Sequence, residues 1–351
     1  MVVSGHADAT QAAWRILAAG GSVADAAIAG AAARTVTHPQ ACTLGGDAFI
    51  LVHHAGSGRT EGLNASGPSP ARVSAQTFEK GIPQRGALTA TVPGVVGGWA
   101  ALHLRHGRLP WERLFQDAIR LAREGCSASR GLARASDVFA DLIRGSEPAR
   151  GLFHPSDRPL RLGELLLQPA LARTLEAIAR DGAAAVYEGP IGRSLARASE
   201  AQGGLLRVDD FSGYAPEWVA PIEVGYRGHC VRAMPPNSYG LYLLLQLMVL
   251  EEAKLQGNPL DDPERIAALV DAAKAAFAVA CRAVADPRFS PEPCAPLLGD
   301  AGRRRLRVAA GSITPNLGGT AVISVVDAEG NAVTLVQSIF LVFGSGVVDP
   351  D

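Results

Sequence analysis

The stretch "LGGTAVISVVDAEGNAVTLVQSIF", Leu317 to Phe340, decides how this chain folds. Its first strand alternates, with Thr320, Val322, Ser324 and Val326 on one face and Ala321, Ile323 and Val325 on the other, and "NAVTLVQS" returns as its partner. With Asp327-Ala328-Glu329-Gly330-Asn331 as the loop, Val326 faces Ala332 and the same register carries Thr320 opposite Ser338. Directly opposed residues share a face, with Cβ atoms about 4.5 to 5.5 Å apart. Two hydroxyls should therefore lie side by side at the head of the hairpin, and a slip of one residue would separate them.

Taken alone, the hairpin favours ordinary structure. Threonine is a favoured strand residue, and two glycines before a strand make a common turn. Catalysis needs something more specific. If the Gly319–Thr320 bond were cut, Thr320 would carry an α-amino group of pKa about 7.7 to 8.0, able to take the proton of its own hydroxyl near neutral pH. Gly318 and Gly319 would supply the backbone freedom that an internal attack by the Thr320 hydroxyl requires.

Outward from the hairpin, the chain reads as helices packed beside antiparallel sheet. "DATQAAWRILAAGG" predicts a helix stopped at Gly20-Gly21. Ser22 with Asp25 approximates a capping box for the alanine-rich helix that follows, and His38-Pro39 ends that helix. "LGGDAFILVHHAGSGRTEGLNAS" gives a glycine turn, a strand, a tight hairpin and a returning strand. Helical patterns dominate from Val92 to Gly213; short strands return in "PIEVGYRGHCVRAMPP", and two long helices follow, the second expected to run to the Asp286-Pro287 break. With no internal repeat and no low-complexity linker, residues 1–351 are expected to form a single α+β domain.

Composition narrows the function classes. The 351 residues are 48% hydrophobic and 19% charged with a formal net charge of −1, so no global field attracts phosphate backbones or anionic lipid. Neither nucleic acid nor membrane is expected as a partner. The one basic run, Arg303 to Arg307, reads as a solvated helix face. Five cysteines (Cys42, Cys126, Cys230, Cys281, Cys294) lack metal or disulfide spacing and read as reduced thiols. The N-terminal segment lacks the uninterrupted apolar core of a signal peptide, so the chain as written reads as cytoplasmic, or periplasmic if a leader precedes it.

Along almost its whole length the chain resembles the gamma-glutamyltranspeptidases, N-terminal nucleophile hydrolases that cleave themselves before a threonine. The resemblance is carried by "AWRILAAGGSVADAAIA", "HPQACTLGGDAFILV", "TVPGVVGGWAAL", "YEGPIGRSLARASEAQGGLLRVDDFSGY", "MPPNSYGLYLLLQL" and "TAVISVVDAEGNAVTLVQS", in the family's order and spacing. It implies a four-layer αββα sandwich, here incomplete at its C-terminal end, with a large subunit 1–319 and the start of a small subunit at 320–351. It also implies an amide-cleaving acyltransferase or hydrolase that needs no metal or organic cofactor and takes a small-molecule amide as substrate. Thr320 matches the nucleophile and, with Gly319, the processing site; Ser338 matches the threonine that hydrogen-bonds the nucleophile.

Three departures bear on substrate. Ser66 and Pro68 stand where the family's gamma-glutamyl binders carry the arginine that clamps the substrate α-carboxylate, and Arg72 lies too far along. Phe340 stands in place of an asparagine that touches the glutamyl group, and "QSIFLVFGSGVV" is more similar to the acylase-like and oxamate amidohydrolase-like branch. The family pattern also continues beyond the point where this sequence stops, which favours a fragment over a truncated, inactive relative serving as a binding or scaffold module. Elsewhere the ordinary structural explanation is the stronger one: "GGDAF" as a tight turn, His53-His54 as diverging strand residues without a metal, Tyr239 as part of a turn into a helix, and Asp25 as a cap.

Overall fold

A computed structural model describes residues 1–253, 262–290, 292–309 and 318–350. Its contacts divide the chain into two compact units: Met1–Arg59, Leu63–Glu217 and Leu317–Asp351 in the first, Thr60–Gly62 and Trp218–Asn316 in the second.

The first unit is built on β1 (Val2–Ser4), α1 (Ala7–Ala18), α2 (Val23–Thr37), β2 (Asp47–His54), β3 (Arg59–Ala65), α3 (Val95–His106), β4 (Gly318–Val326) and β5 (Ala332–Leu341). The strands lie in the order β1-β4-β5-β2-β3, so the C-terminal hairpin is inserted between two N-terminal strands. The pairs β1 with β4, β4 with β5 and β5 with β2 are all antiparallel. One face of the sheet presents Ile50, Val52, Ile323, Val325, Val333 and Leu335, all buried. This face packs on α2, every residue of which is buried. The many alanines of α2 suit it to this place, because their short side chains let neighbouring backbones approach closely at no rotamer cost. The opposite face carries Thr320, Val322 and Ser324, exposed or half-exposed.

The helix signals read from the sequence correspond to bonds. The Ser22 hydroxyl accepts from the Asp25 amide at 3.0 Å and the Asp25 carboxylate from the Ser22 amide at 2.9 Å, the reciprocal capping box. Asp25 also accepts the Arg108 and Leu109 amides at 2.8 and 3.1 Å, which makes it a buried structural acceptor. Gly20, at φ +86°, takes the left-handed turn after α1.

The second unit holds a hairpin, Ile222–Tyr226 with His229–Ala233, and the helices Gly240–Glu252, Pro263–Ala280 and Asp300–Val308 around Leu241, Leu244, Leu245, Met248, Ala276 and Leu306. Helix Pro263–Ala280 stops six residues short of the expected Asp286-Pro287 break, because the Ala283 and Val284 amides both turn back to the Ala280 carbonyl. The basic run is a solvated face: Arg303 and Arg307 lie at 3.3 Å from Glu252, and Arg305 pairs with Glu292. Tyr239 is exposed immediately before Gly240–Glu252. Among the described residues no helix is long and apolar enough to cross a membrane, and the five cysteines are free.

The end of α2 carries an acid-labile element. Burial, with help from Arg34 and His6, pushes the His38 imidazole down to about 4. The native state then binds fewer protons than the unfolded chain between that value and the ordinary one, so stability is complete above about pH 6.5 and falls as pH drops towards 4. The full effect is at most about 3 kcal/mol. Urea midpoints measured at pH 7 and pH 4.5 should differ less in His38→Asn than in the unsubstituted protein; an unchanged difference would exclude His38 as the source.

Candidate active site

The hairpin register is the one the sequence dictates: Val326 pairs with Ala332, Val322 with Val336, and Thr320 with Ser338. Its loop is closed by Asp327, whose carboxylate accepts the Asn331 amide at 2.8 Å and the Asn331 side chain at 2.9 Å. The Thr320 hydroxyl donates to Ser338 Oγ at 3.3 Å. A contact of this kind is not distinctive by itself, since Ser324 and Thr334 form another hydroxyl pair at 3.3 Å two rows along the same face.

What separates the two pairs is the chain beyond Ser338. After the Thr320–Ser338 pair the next ladder partners are Gly318 and Leu341, so Ile339 and Phe340 together stand opposite Gly319. This is a β-bulge, and Phe340 takes it up at φ +65°, a conformation uncommon outside glycine. The bulge turns the Ile339 amide away from β4, to the Ala41 carbonyl at 3.1 Å. Gly319 is left facing a side chain: the Ser338 hydroxyl donates to the Gly319 carbonyl at 2.8 Å and accepts the Phe340 amide at 2.8 Å. One donor and two acceptor positions are all that a hydroxyl has, and in Ser338 all three are filled, by Gly319, Thr320 and Phe340. Thr320 itself is exposed on the open face of the sheet.

The sequence-derived residues Gly319, Thr320 and Ser338 thus meet at one point. Ser66 instead turns inward, its hydroxyl donating to Asn64 Oδ1 at 2.7 Å, and Pro68 is exposed. Phe340 is 52% exposed. The "GGDAF" segment is a tight turn, the Gly46 amide reaching the Thr43 carbonyl at 3.2 Å. His53 and His54 alternate along β2, and the His54 ring lies against His106 at the end of α3, centroids 4.9 Å apart.

Two participants escaped the sequence pattern. Arg85 donates to the carbonyls of Val342 and Gly344 at 2.8 and 2.7 Å and so straps the chain that leaves β5. Asp47, at the head of β2, pairs with Ser338 in the ladder and accepts the Gly67 amide at 2.9 Å. Burial pushes the Asp47 carboxyl up to about 6, opposed by the Gly67 and Gly94 amides. A lone polar residue opening an apolar strand was the available signal for Asp47; nothing in the local pattern marks Arg85.

A gamma-glutamyltranspeptidase family model matches residues 9–351. The chain belongs to the gamma-glutamyltranspeptidase family. It is 33% identical over 360 residues to the glutathione hydrolase-like YwrD proenzyme of Bacillus subtilis, covering 100% of this chain and 69% of that protein. It is equally 33% identical, over 368 residues, to the oxamate amidohydrolase proenzyme of Klebsiella pneumoniae, again with 100% and 69% covered. Among solved structures, a cephalosporin acylase from Bacillus halodurans superposes with a TM-score of 0.89 at 34% identity, over 99% of this chain and 67% of that one. The chain therefore spans about two thirds of the length of these relatives. The α+β fold is that of the N-terminal nucleophile hydrolases, and this family is one of hydrolytic enzymes.

Proposed function

We propose that this chain carries the nucleophile of a self-processing amide hydrolase or acyltransferase, with Thr320 as attacking group and Gly319–Thr320 as the bond it cuts in itself. The observation that carries this proposal is the relay from the Thr320 hydroxyl through Ser338 Oγ to the Gly319 carbonyl oxygen, at 3.3 and 2.8 Å. As Thr320 Oγ1 attacks the Gly319 carbonyl carbon, its proton passes to Ser338 while the Ser338 proton moves onto the carbonyl oxygen. Collapse then breaks the Gly319–Thr320 C–N bond and leaves an ester on Thr320 with the proton on its nitrogen. Water hydrolyses the ester, releasing the Gly319 carboxylate and the Thr320 hydroxyl beside the amine that collapse has already freed. That amine, with a pKa of about 7.7 to 8.0, serves as base when Thr320 attacks a substrate amide, and water or an acceptor amine resolves the acyl-enzyme. The names proenzyme, hydrolase and acylase among the relatives support the same chemistry.

The test is N-terminal sequencing of the smaller chain in protein expressed from the complete gene: it should begin at Thr320, and any other start in active material sinks the assignment.

The acyl group is the finer part of the proposal. Ser66 is engaged with Asn64, and Phe340 presents a partly exposed ring, so nothing at these two positions offers a cationic or amide partner to a glutamyl group. A substrate carboxylate that gives up water and finds no partner loses about 1–3 kcal/mol, so gamma-glutamyl p-nitroanilide should be turned over roughly 10- to 100-fold less efficiently than butyryl p-nitroanilide. Comparable efficiencies, or efficient glutathione turnover, would overturn this.

A further inference from the structure

We propose that Asp47 is a specificity-determining residue of this site: its carboxylate stands in the same row of the sheet as Thr320 and Ser338 and disfavours acyl groups that carry a negative charge. The inference rests on the assignment of Thr320 as nucleophile and deepens it by naming the charge class of the acyl group.

Placement comes first. Thr320 pairs with Ser338 across β4 and β5, and Ser338 pairs with Asp47 across β5 and β2. Directly opposed residues share a face, so the three side chains leave the sheet on the same side, and two strand spacings set Asp47 about 10 Å from Thr320. Two close approaches hold Asp47 in that row. A Cβ on Gly46 would lie 2.4 Å from the Ser338 carbonyl oxygen, so the head of β2 is pressed against the backbone of Ser338. A Cβ on Gly67 would lie 1.5 Å from the Val92 carbonyl oxygen, so the turn that donates its amide to Asp47 has no slack either. The carboxylate is pinned between the hairpin and the Ser66–Gly67 turn. That turn is the one whose counterpart in gamma-glutamyl binders carries the carboxylate-clamping arginine. By that resemblance a neutral serine stands in place of a cation here, with the Asp47 carboxylate bonded to the next residue of the turn.

The charge of Asp47 is itself titratable in the working range, since burial pushes its carboxyl up to about 6. The titratable groups facing it are the hydroxyls of Tyr187 and Tyr214, both pushed further up by burial and hence neutral below pH 8. Of these three groups Asp47 is the one that changes charge there, an anion above about pH 6 and neutral below; the Thr320 amine serves both anilides only as the neutral base and so drops out of their ratio. The discrimination against anionic acyl groups should therefore grow as pH rises through 6.

The experiment compares butyryl p-nitroanilide with glutaryl p-nitroanilide, whose acyl chain ends in a carboxylate, using protein expressed from the complete gene. The ratio of their kcat/KM values should favour butyryl and should rise about 5-fold from pH 5 to pH 7.5, the effect of a like charge near 10 Å in a partly screened site. Asp47→Asn keeps the shape and the acceptor for Gly67 while removing the charge, so its ratio should be flat with pH and shifted about 5-fold towards glutaryl at pH 7.5. A purely structural role would change both rates together and leave the ratio alone. A pH-independent ratio in the unsubstituted protein, or an unchanged ratio in Asp47→Asn, overturns this inference alone. Asp47→Ser, which removes the charge without the amide, provides the same reading if the asparagine variant fails to accumulate. An unsubstituted protein that neither splits before Thr320 nor turns over either anilide overturns the nucleophile assignment and this inference with it.

Discussion

Thr320→Ala, expressed from the complete gene, is expected to remain a single chain and to show no acyl transfer or amide hydrolysis. The relay at the hairpin head gives the reason. Thr320 supplies the oxygen that would attack the Gly319 carbonyl, and alanine leaves no group in its place, since the one remaining hydroxyl, Ser338, is directed at the carbonyl oxygen and not at its carbon. The same substitution should have little effect on the fold, because Thr320 is exposed and its side chain makes one hydrogen bond to a neighbour that keeps two others. Surface changes of this kind usually stay within about 0.5 kcal/mol of the parent. Denaturing electrophoresis reads the splitting and butyryl p-nitroanilide hydrolysis reads the turnover. A variant that still splits at residue 320, or a split variant that still turns over substrate, would remove Thr320 from the mechanism. Thr320→Ser separates the remaining possibilities: it restores a hydroxyl, and should split and turn over more slowly than the parent. The non-catalytic alternative predicts no difference among the three proteins.

Much of this site was legible in the sequence because it depends on local rules. The pairing of Thr320 with Ser338 needs only the two-residue period of a strand and a five-residue loop, and both are present in 24 consecutive residues. The cap of α2 was legible for the same reason, Ser22 and Asp25 being three positions apart. The bulge was not. A phenylalanine at φ +65° has no compositional signature, and Phe340 adopts it because the Ile339 amide finds the Ala41 carbonyl, 298 residues earlier in the chain. Asp47 was half legible: its strand and its turn could be read, but the amides that bond its carboxylate come from Gly67, 20 residues on, and from Gly94. The Arg85 strap depends on carbonyls more than 250 residues away. Contacts of such range follow from the assembled sheet, in which a C-terminal hairpin lies between β1 and β2, and no window along the chain contains them.

Ser338→Ala should slow self-cleavage far more than a lost neighbour contact would suggest. Were Ser338 no more than a partner for the nucleophile, its loss would cost about 0.5–1.5 kcal/mol, the worth of one neutral hydrogen bond. The bulge gives it a second task. Its hydroxyl donates at 2.8 Å to the carbonyl oxygen of Gly319, where negative charge develops as Thr320 attacks. With Ile339 and Phe340 displaced from the ladder, Ser338 fills the place of a backbone donor there. Removing a preorganised donor to a developing oxyanion lowers a rate by about 10²–10³. Alanine also leaves the Phe340 amide without its side-chain acceptor, which loosens the bulge that aims the carbonyl. Ser338→Thr restores the hydroxyl and should recover most of the rate. The two roles separate after cleavage: once Gly319 has left, Ser338 keeps Thr320 and Phe340 but no longer faces the Gly319 carbonyl, so turnover by material that has finally split should fall less than the splitting rate did. The measurement is a time course of chain splitting in freshly purified Ser338→Ala, followed by steady-state hydrolysis with the split fraction. Equal losses in both would reduce Ser338 to a positioning residue, and a splitting rate within a few-fold of the parent would exclude it from the oxyanion role.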